Sequence, residues 1–338
     1  MTLSATILIS TYNRAGLLQR TLESLRGLIS TRAWDVIVVD NNSSDDTRQV
    51  IESQAATFPV PLSYLFEPKQ GKSVALNAGL RLTRADVVLF TDDDVLVDPN
   101  WLDAACSPME DNPRLSYTGG PVRPLWQAEP PDWLDQHRGD LWGTLAILDY
   151  GPAPFVFEAR QRVPVGANMA VRRSLIEQIG GFHPDLGRRG RSLLGQEQAE
   201  FFARARACGA RGGYAPRMEV HHHVPVERLT RQYFRRWWYW KGVTRSLVDA
   251  MHGETELGLE LKSVPYVGGV PRFVWGLIAR SAVQAASAGV VRNQRAWMRH
   301  SMTCAYGVGY VRGCWSRRTA PARPFPMATQ QEEASISR

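Results

Sequence analysis

Cysteine is scarce in this sequence: four residues are spread along 338, and no two of them have CxxC spacing. A disulfide framework or a zinc site needs cysteines in close groups, so neither is predicted, and the scarcity favours a reducing compartment. The first ten residues also lack the basic stretch and the long apolar run of an export signal. We therefore expect a cytoplasmic protein.

Long hydrophobic runs are missing as well. The most apolar later stretch, residues 273–291, is interrupted by Arg280 and by three uncharged polar residues. A membrane-spanning helix needs about 20 predominantly apolar residues, so no span is predicted here. Attachment to the inner face of a membrane stays open as an alternative.

Apolar residues and positive charge are plentiful. An apolar share of 44% and a charged share of 22% are typical of a globular chain that buries a core. The net charge of +7 is concentrated in the second half, where arginine clusters follow one another from Arg188 onward. Such clusters suit phosphates, anionic lipids or nucleic acid, and charge alone does not choose among these partners.

The first 95 residues alternate short β-rich runs with helical patterns. Strands are predicted at residues 5–10, 35–40, 62–66 and 86–91. Helices are predicted around residues 17–25, from about Asp46 and from about Lys72. This alternation predicts an α/β fold in which a mostly parallel sheet is connected by crossover helices.

Each predicted strand is followed by a cluster of polar residues. The clusters occupy residues 10–14, 40–43, 67–72 and 92–94. The carboxyl ends of parallel strands meet at one edge of the sheet, where helix amino termini also converge. The sequence therefore predicts a ligand site at that edge.

Three adjacent aspartates, Asp92, Asp93 and Asp94, give the most specific chemical indication. Neighbouring carboxylates repel one another, and a bound cation offsets that repulsion. Carboxylate oxygens favour Mg²⁺ or Mn²⁺, ions that stabilise the charge growing on a diphosphate leaving group. The alternative is an acidic turn that caps the helix after Pro99.

Five ordered segments now resemble the inverting family 2 glycosyltransferases of the GT-A fold. They are STYNR (10–14), VVDNNSSDDT (38–47), EPKQGKSVALNAG (67–79), FTDDDVLVDPNWL (90–102) and VGANMAVRR (165–173). The resemblance covers roughly residues 5–225. Five matches in the right order are far more specific than any single motif.

The resemblance implies a Rossmann-like GT-A domain with a helical carboxy-terminal extension. Residues 1–120 would form the half that binds a nucleotide-diphosphate sugar, and residues 121–225, which begin with a loop-rich segment (121–166), the acceptor half. Residues 226–318 would be a helical basic-aromatic region, and 319–338 a disordered tail.

The implied activity is metal-dependent transfer of a sugar, with a UDP-sugar favoured as donor. The acceptor would be a glycan, a lipid-linked sugar or a small molecule. Two other functions stay open: a nucleotide-sugar-binding protein without catalysis, and a polyprenyl-phosphate sugar transferase at the membrane surface. The sequence predicts no oligomeric state.

The resemblance also assigns nucleotide contacts. The residues are Thr11, Tyr12, Asn13, Arg14, Asp40, Lys72, Asp92 and Asp93. Asp40 can accept a hydrogen bond from a pyrimidine N3–H, and the charge of Lys72 near a helix start suits a phosphate. Asp40 as a strand-end turn residue and Lys72 as a solvated helix residue are the alternatives.

The resemblance makes Asp94 the direct metal ligand and implies a late histidine as a further ligand of the metal or diphosphate. Residues 221–223 are all histidine, and in a strand His222 would point away from its two neighbours. Its position in the motif favours His222, with His223 second. Histidines without a ligand are the alternative.

The catalytic base is the point at which the resemblance breaks down. An inverting transfer needs a group that takes the proton of the acceptor hydroxyl, and the family uses the Asp of a Glu-Asp pair. Here that Asp is replaced by Gln198, and the preceding residue is Glu197. Three hypotheses follow: Glu197 is the base, the acceptor needs little base help, or ordinary activity has been lost.

Two further segments have assigned roles. Gly166 and Asn168 would approach the sugar closely, with strand packing as an equal alternative.

Residues 228–245 interleave arginines with aromatics, and helical spacing places Arg228, Arg231 and Arg235 on one face. This composition suits an anionic membrane interface, or packing of the tryptophans on the catalytic domain. Nothing else supports nucleic acid as a partner.

Overall fold

The computed structural model describes residues 2–134, 139–157, 162–190, 192–255 and 258–319. The predicted disordered tail therefore lies, except for Thr319, outside the described residues. The first four strands are β1 (Ala5–Thr11), β2 (Trp34–Asp40), β3 (Leu62–Phe66) and β4 (Val87–Asp92). They lie side by side in the order β3-β2-β1-β4, and every neighbouring pair is parallel. All four predicted strands are confirmed.

The crossover connections between these strands are α1 (Ala15–Arg26), α2 (Thr47–Ala55) and α3 (Lys72–Leu80). Alternate side chains of β1 point to opposite faces of the sheet, as strand geometry requires. Ile7 and Ile9 pack with α1 and α2, whereas Leu8 packs with α3. The strands are apolar on both faces because helices cover both faces.

The described residues from 93 to 225 extend the sheet on the β4 side. Their elements are β5 (Val95–Val97), α4 (Trp101–Asp111), β6 (Leu115–Gly119), β7 (Val122–Trp126), α5 (Gly139–Trp142), β8 (Phe155–Val156), β9 (Asn168–Arg172), α6 (Arg173–Ile179), α7 (Glu197–Ala207), β10 (Arg211–Tyr214) and β11 (Val220–Val224). The sheet continues from β4 as β9-β6-β10-β8, and β9 is antiparallel to both neighbours. The predicted mostly parallel sheet is confirmed.

A second, small sheet lies beside the first and has the order β5-β11-β7. Its central strand contains the three histidines, and His222 pairs with Val95 just after the aspartates. His222 is buried, while His221 is exposed and His223 half-buried, so His222 points opposite to its neighbours as predicted. The small sheet therefore positions His222 relative to the aspartate loop.

Residues 121–166 contain more structure than predicted. Besides β7, α5 and β8 they include a short 3₁₀ helix (Gly143–Leu145), although irregular backbone still connects these elements. Leu134, Leu141, Leu145 and Ile147 form a separate apolar cluster with side chains from the carboxy-terminal helices. Local periodicity does not reveal these short elements because they are stabilised by contacts with distant helices.

The carboxy-terminal region is helical, as predicted. It comprises α8 (Arg231–His252), a hairpin of β12 (Tyr266–Val267) and β13 (Val270–Pro271), α9 (Arg272–Val290) and α10 (Gln294–Thr319). The Thr230 side chain caps α8 by accepting a hydrogen bond from the Tyr233 amide at 3.1 Å. In the described part of the chain, none of the helices combines the length and apolarity that a membrane span requires.

The aromatic residues of the basic segment are largely used inside the protein. Phe234 is fully buried, and Trp238 donates a hydrogen bond to Thr144 at 3.1 Å. Arg231 and Arg235 both lie over the ring of Trp297. The predicted common face of three arginines is wrong, because Arg228 lies in a 3₁₀ turn (Val226–Leu229) that ends before α8 begins.

Close contact between α8 and α10 depends on glycine. A Cβ added to Gly242 would lie 1.9 Å from the backbone oxygen of Tyr306. We expect Gly242→Ala to destabilise the protein by about 1–3 kcal/mol, because a methyl group there forces two helix backbones apart. Urea unfolding measures the effect.

Gly276→Ala in α9 is the matched control, since a Cβ there meets nothing within 4 Å. This change removes backbone freedom from the unfolded chain and should stabilise by about 0.5–1 kcal/mol. Equal unfolding midpoints for the two variants would contradict the predicted helix contact.

Candidate active site

A polar cleft of about 650 Å³ opens at the carboxyl edge of the large sheet. The described residues that line it are Ser10, Thr11, Tyr12, Arg14, Asn41, Gln70, Gly71, Lys72, Asp92, Asp93, Asp94, Ala146, Arg188, Gly190, Ser192, Leu193, His222, Arg228 and Arg236. The predicted convergence of polar strand-end loops is thus present. Ala146, just beyond the 3₁₀ turn at 143–145, brings the loop-rich segment to the rim.

Asp92 ends the buried strand β4, and Asp93 and Asp94 follow it. The pairing of β4 with β1 and β9 holds the three aspartates at the cleft. Each carboxylate contacts a cation. Lys72 pairs with Asp92, and Nη1 of Arg14 lies 2.8 Å from Asp93 and 2.9 Å from Asp94. Thr11 also donates a hydrogen bond to Asp93 at 2.9 Å. Positive side chains therefore offset the carboxylate repulsion in this structure.

Asp94 has one carboxylate oxygen left over. Oδ1 is buried and accepts no hydrogen bond from the part of the chain that the structure describes, and Nε2 of His222 lies 3.4 Å from it. The backbone supports this arrangement, because the amide of His223 donates to the Asp94 carbonyl at 2.9 Å. A buried oxygen without a donor is costly, so this atom calls for a ligand.

Among the described residues, no group of three or more His, Cys, Asp or Glu is arranged to hold a metal ion. Mg²⁺ and Mn²⁺ sites in nucleotide enzymes, however, commonly use one or two protein ligands and complete their shell with phosphate oxygens and water. The unpaired Asp94 oxygen facing His222 fits that pattern.

The protonation of the aspartates differs with their neighbours. Burial raises the pKa of Asp94, but His222, Arg14 and Arg228 outweigh burial and hold that pKa well below its ordinary value. Burial also raises the pKa of Asp93, and the charge of Arg14 offsets only part of this increase. Asp94 is therefore the anion that stays ionised, which is what a metal ligand requires.

Lys72 begins α3 at the floor of the cleft. Gly71 precedes it with φ of 146°, a conformation that glycine adopts without strain. The Asn41 side chain holds this turn by accepting a hydrogen bond from the Gly71 amide at 2.7 Å. Burial lowers the pKa of Lys72, but Asp92 and Glu197 outweigh it, so the pKa is raised and the amine stays charged.

Some of the predicted nucleotide contacts lie in the cleft lining and others lie around it. Thr11 and Tyr12 line the cleft, and Tyr12 is 43% exposed. Asn13 lies outside the described lining and accepts a hydrogen bond from the Ser44 amide at 2.7 Å. The Asp40 carboxylate is buried and bonded to the Ser43 amide at 2.8 Å and the Tyr64 hydroxyl at 3.0 Å. Its role at the base stays a prediction.

Glu197 is the first residue of α7 and is 7% exposed. Its Oε2 atom is buried without a hydrogen-bond partner, and its charge acts on Lys72. Gln196 ties this helix start to α8 through a 3.0 Å hydrogen bond to the Lys241 carbonyl. Glu197 lies outside the described cleft lining.

The predicted sugar contacts need correction. Asn168 is fully buried; its Oδ1 accepts a hydrogen bond from Trp101 at 2.8 Å, and its Nδ2 donates to the Pro121 and Met218 carbonyls. Its amide therefore joins β9 to α4 and the small sheet. Gly166 is half-buried outside the described lining, and a Cβ there meets nothing within 4 Å. The alternative of strand packing describes Asn168.

Sequence reasoning missed several cationic residues at the cleft. Arg228 lies 3.6 Å from Asp94, and Arg188 and Arg236 also line the cavity. The Lys72 amide donates to the Arg188 carbonyl at 2.9 Å, which connects α3 to the loop before α7. The clustering of arginines from Arg188 onward was the available signal, and it had indicated a phosphate-bearing partner.

The fold and this cleft define a glycosyltransferase of the GT-A fold: a mostly parallel sheet carries an aspartate loop and several lysine and arginine side chains at its carboxyl edge. Residues 6–180 match the family model described as glycosyl transferase family 2, and the protein belongs to this family. The predicted family and fold are confirmed.

Relatives with named activities are also glycosyltransferases. The chain is 23% identical over 316 residues to the glucosyl-dolichyl phosphate glucuronosyltransferase of Haloferax volcanii, a match that covers 92% of this chain and 96% of that protein. It is 37% identical over 99 residues to the validoxylamine A glucosyltransferase of Streptomyces hygroscopicus subsp. jinggangensis, covering 28% of this chain and 23% of that protein.

Solved structures share the fold. The mannosyltransferase PcManGT of Pyrobaculum calidifontis, in complex with GDP-Man and Mn²⁺, has a TM-score of 0.60 at 20% identity and covers 93% of this chain and 87% of its own. GalNAc-T7 with UDP, GalNAc and Mn²⁺ has a TM-score of 0.51 at 16% identity, covering 73% of this chain and 51% of its own.

Proposed function

We propose that this glycosyltransferase transfers a sugar from a nucleotide-diphosphate sugar to an acceptor hydroxyl with inversion, and that transfer depends on Mn²⁺ or Mg²⁺. One observation carries the proposal: the unpaired Asp94 oxygen faces His222 inside a cleft lined by cations. This combination of a carboxylate and an imidazole as metal ligands with cationic side chains nearby suits a metal-bound diphosphate.

Asp94 and His222 would hold the metal. When bound, a divalent ion stabilises the negative charge that develops on the leaving diphosphate. Positive side chains at the cleft would stabilise the same negative charge on the diphosphate. Lys72 lies at a helix start, and Arg14 and Arg228 lie within 4 Å of Asp94. The Mn²⁺ in the two solved relatives supports a metal here.

The proposed transfer is a single displacement. The acceptor oxygen forms a bond to the anomeric carbon as the bond from that carbon to the diphosphate oxygen breaks. The acceptor proton then needs a base, and Glu197 is proposed for that role because its buried carboxylate has an oxygen without a partner. Gln198 cannot accept the proton usefully, since an amide is too weak a base.

Among the three acceptor classes, a lipid-linked sugar is favoured. The Haloferax volcanii relative that matches almost the whole chain is named for a glucosyl-dolichyl phosphate acceptor. Among donors, a UDP-sugar is favoured because Asp40, although bonded to Ser43 and Tyr64, presents the acceptor chemistry that a uracil N3–H needs. A binding protein without turnover is the second candidate, motivated by Gln198.

A thermal-shift comparison tests donor and metal together. We expect a UDP-sugar with Mn²⁺ to raise the unfolding temperature by about 5 °C at saturating concentration, because a ligand at 100 times its Kd stabilises by about 2.7 kcal/mol. The comparison samples contain the UDP-sugar without metal, Mn²⁺ without a donor, or the corresponding GDP-sugar with Mn²⁺. A larger shift with the GDP-sugar would reassign the base, and no shift with any donor would contradict the proposal.

A further inference from the structure

The carboxy-terminal end of the described chain is strongly basic. Residues 261–319 contain nine Lys and Arg residues and no Asp or Glu, so this segment alone exceeds the net charge of +7 of the whole protein. Seven of these cations are exposed: Lys262, Arg272, Arg280, Arg292, Arg295, Arg299 and Arg312. The ion pairs Arg245–Asp249 and His252–Glu200 involve only residues before 261, so they neutralise none of these cations.

The same segment exposes most of the large apolar side chains. Fourteen such side chains are exposed in the described part of the protein, and eight of them lie within residues 261–319. The most exposed are Val290 at 84%, Val283 at 70% and Val291 at 69%. Apolar exposure and positive charge therefore coincide in one part of the molecule, which marks an interaction surface.

Helix α9 has two apolar faces. Val274, Ser281 and Ala288 form its buried line, and Ile278 packs so closely on α10 that a Cβ at Gly307 would lie 2.4 Å from it. The opposite face is exposed and carries Gly276, Ala279, Val283, Ala286 and Val290, with helical spacing of three and four residues. One face packs on the protein, and the other meets no partner among the described residues.

The β12–β13 hairpin continues this surface at the start of α9. Tyr266 and Val267 are 49% and 52% exposed. Trp275 and Trp315 each donate their indole N–H to a hairpin carbonyl at 3.1 Å. Trp315 is nevertheless 45% exposed, so its apolar ring surface faces outward with the polar group already satisfied. Aromatic side chains of this kind are enriched at membrane interfaces.

We infer that the exposed face of α9 and the adjoining hairpin, together the α9 surface, dock on the surface of a lipid bilayer that contains anionic phospholipids. The exposed valines and aromatics would enter the interfacial layer, and the flanking arginines would contact the phosphate groups. Helix α9 has 19 residues and would lie along the bilayer for about 28 Å.

The charge and the apolar side chains of the α9 surface favour an anionic bilayer over a second copy of the chain or nucleic acid. A second copy of the chain would bring two surfaces without acidic residues together, and their like charges would repel. Nucleic acid would match the charge but gains nothing from Val283 and Val290, which have no base-stacking surface. The α9 surface also differs from the basic-aromatic segment 228–245, whose Phe234 and Trp238 are engaged inside the protein.

Flotation of the full chain with vesicles tests the inference. The wild-type protein should float with phosphatidylcholine vesicles that contain phosphatidylglycerol at low salt, and not with pure phosphatidylcholine vesicles. The double variant Val283→Glu, Val290→Glu should bind the anionic vesicles at least about tenfold more weakly, because two apolar contacts become charged. Both side chains are exposed, so thermal unfolding should be unchanged.

The matched control is Ile29→Glu, Leu82→Glu, which adds the same two charges at exposed apolar positions of the catalytic domain. It should float like the wild type. A second variant, Arg280→Gln with Arg292→Gln, should weaken flotation while keeping the apolar face intact.

Three results would overturn the inference. The wild type could stay in the soluble fraction with anionic vesicles, the two glutamate variants could lose binding equally, or light scattering could show a dimer that only Val283→Glu, Val290→Glu disrupts. None of these results depends on sugar transfer, so the docking surface and the proposed function are tested separately.

Discussion

Asp94→Asn is expected to reduce metal-dependent sugar transfer by about 10²–10³-fold, the loss typical when one electrostatic stabiliser of a transition state is removed. Asparagine has almost the same shape but lacks the negative charge that binds a divalent ion. The Asp94 oxygen nearest His222 has no other partner, so the substitution removes the proposed ligand without breaking a hydrogen bond at that atom. The measurement is kcat/KM during Mn²⁺ titration, together with Mn²⁺ affinity.

Asp98→Asn is a suitable control for the Asp94 variant. Asp98 follows β5, the strand that separates it from Asp94. It is half-buried and accepts a hydrogen bond from the Asn100 amide at 2.9 Å, but it does not belong to the described cleft lining. Its replacement should leave Mn²⁺ dependence unchanged. An Asp94→Asn enzyme that keeps both turnover and Mn²⁺ affinity would remove the proposed metal site.

Glu197→Gln is expected to lower transfer to hydroxyl acceptors by about 10²–10⁴-fold, the usual contribution of general base catalysis. The amide cannot take the acceptor proton, although it keeps the size of the side chain. Because the charge of Glu197 also raises the pKa of Lys72, the variant needs a measurement that separates the two roles. Loss of a base removes the acidic limb of the pH profile of kcat/KM, whereas weaker donor binding raises the donor KM at every pH.

Gln198→Asp introduces the aspartate that the family resemblance predicts at this position. It is the companion experiment to Glu197→Gln. If Glu197 is the base, this variant should not rescue Glu197→Gln. Rescue would place the base at position 198, and full activity of Glu197→Gln with an unchanged pH profile would exclude Glu197. Stable donor binding without turnover in the wild-type protein would instead favour the binding-protein hypothesis.

Local sequence predicted the first half of the fold well because its information is short-range. Each strand from β1 to β4 is an apolar run that ends in polar residues, and each crossover helix has its own periodic spacing. The short elements α5 and β8 escaped prediction because distant parts of the chain stabilise them: Leu141 of α5 packs with the carboxy-terminal helices, and β8 pairs with β10. The arginines at 228, 231 and 235 were misplaced for a related reason: the helix start at Arg231 depends on the Thr230 cap.

The site shows the same division. Asp94 and His222 were predicted from motif position and strand alternation, and the small sheet brings them within 3.4 Å. Asn168 was predicted to contact the sugar because of its amide side chain. In the structure that amide instead forms hydrogen bonds with Trp101 and with two backbone carbonyls. Arg228 and Arg236 reach the cleft from beyond residue 225, where the motif matches end, so no motif could assign them.

By itself the sequence determined the alternation of strands and helices, the edge of the sheet at which polar loops meet, and the chemical types of residue placed there. The tertiary structure alone decided which of these residues share a cavity, which are consumed by structural hydrogen bonds, and which face of α9 stays uncovered. The physical reason is the separation along the chain of the residues that each property depends on. Secondary structure follows from spacing within a few residues, whereas burial and charge pairing depend on residues that folding brings together from distant parts of the chain.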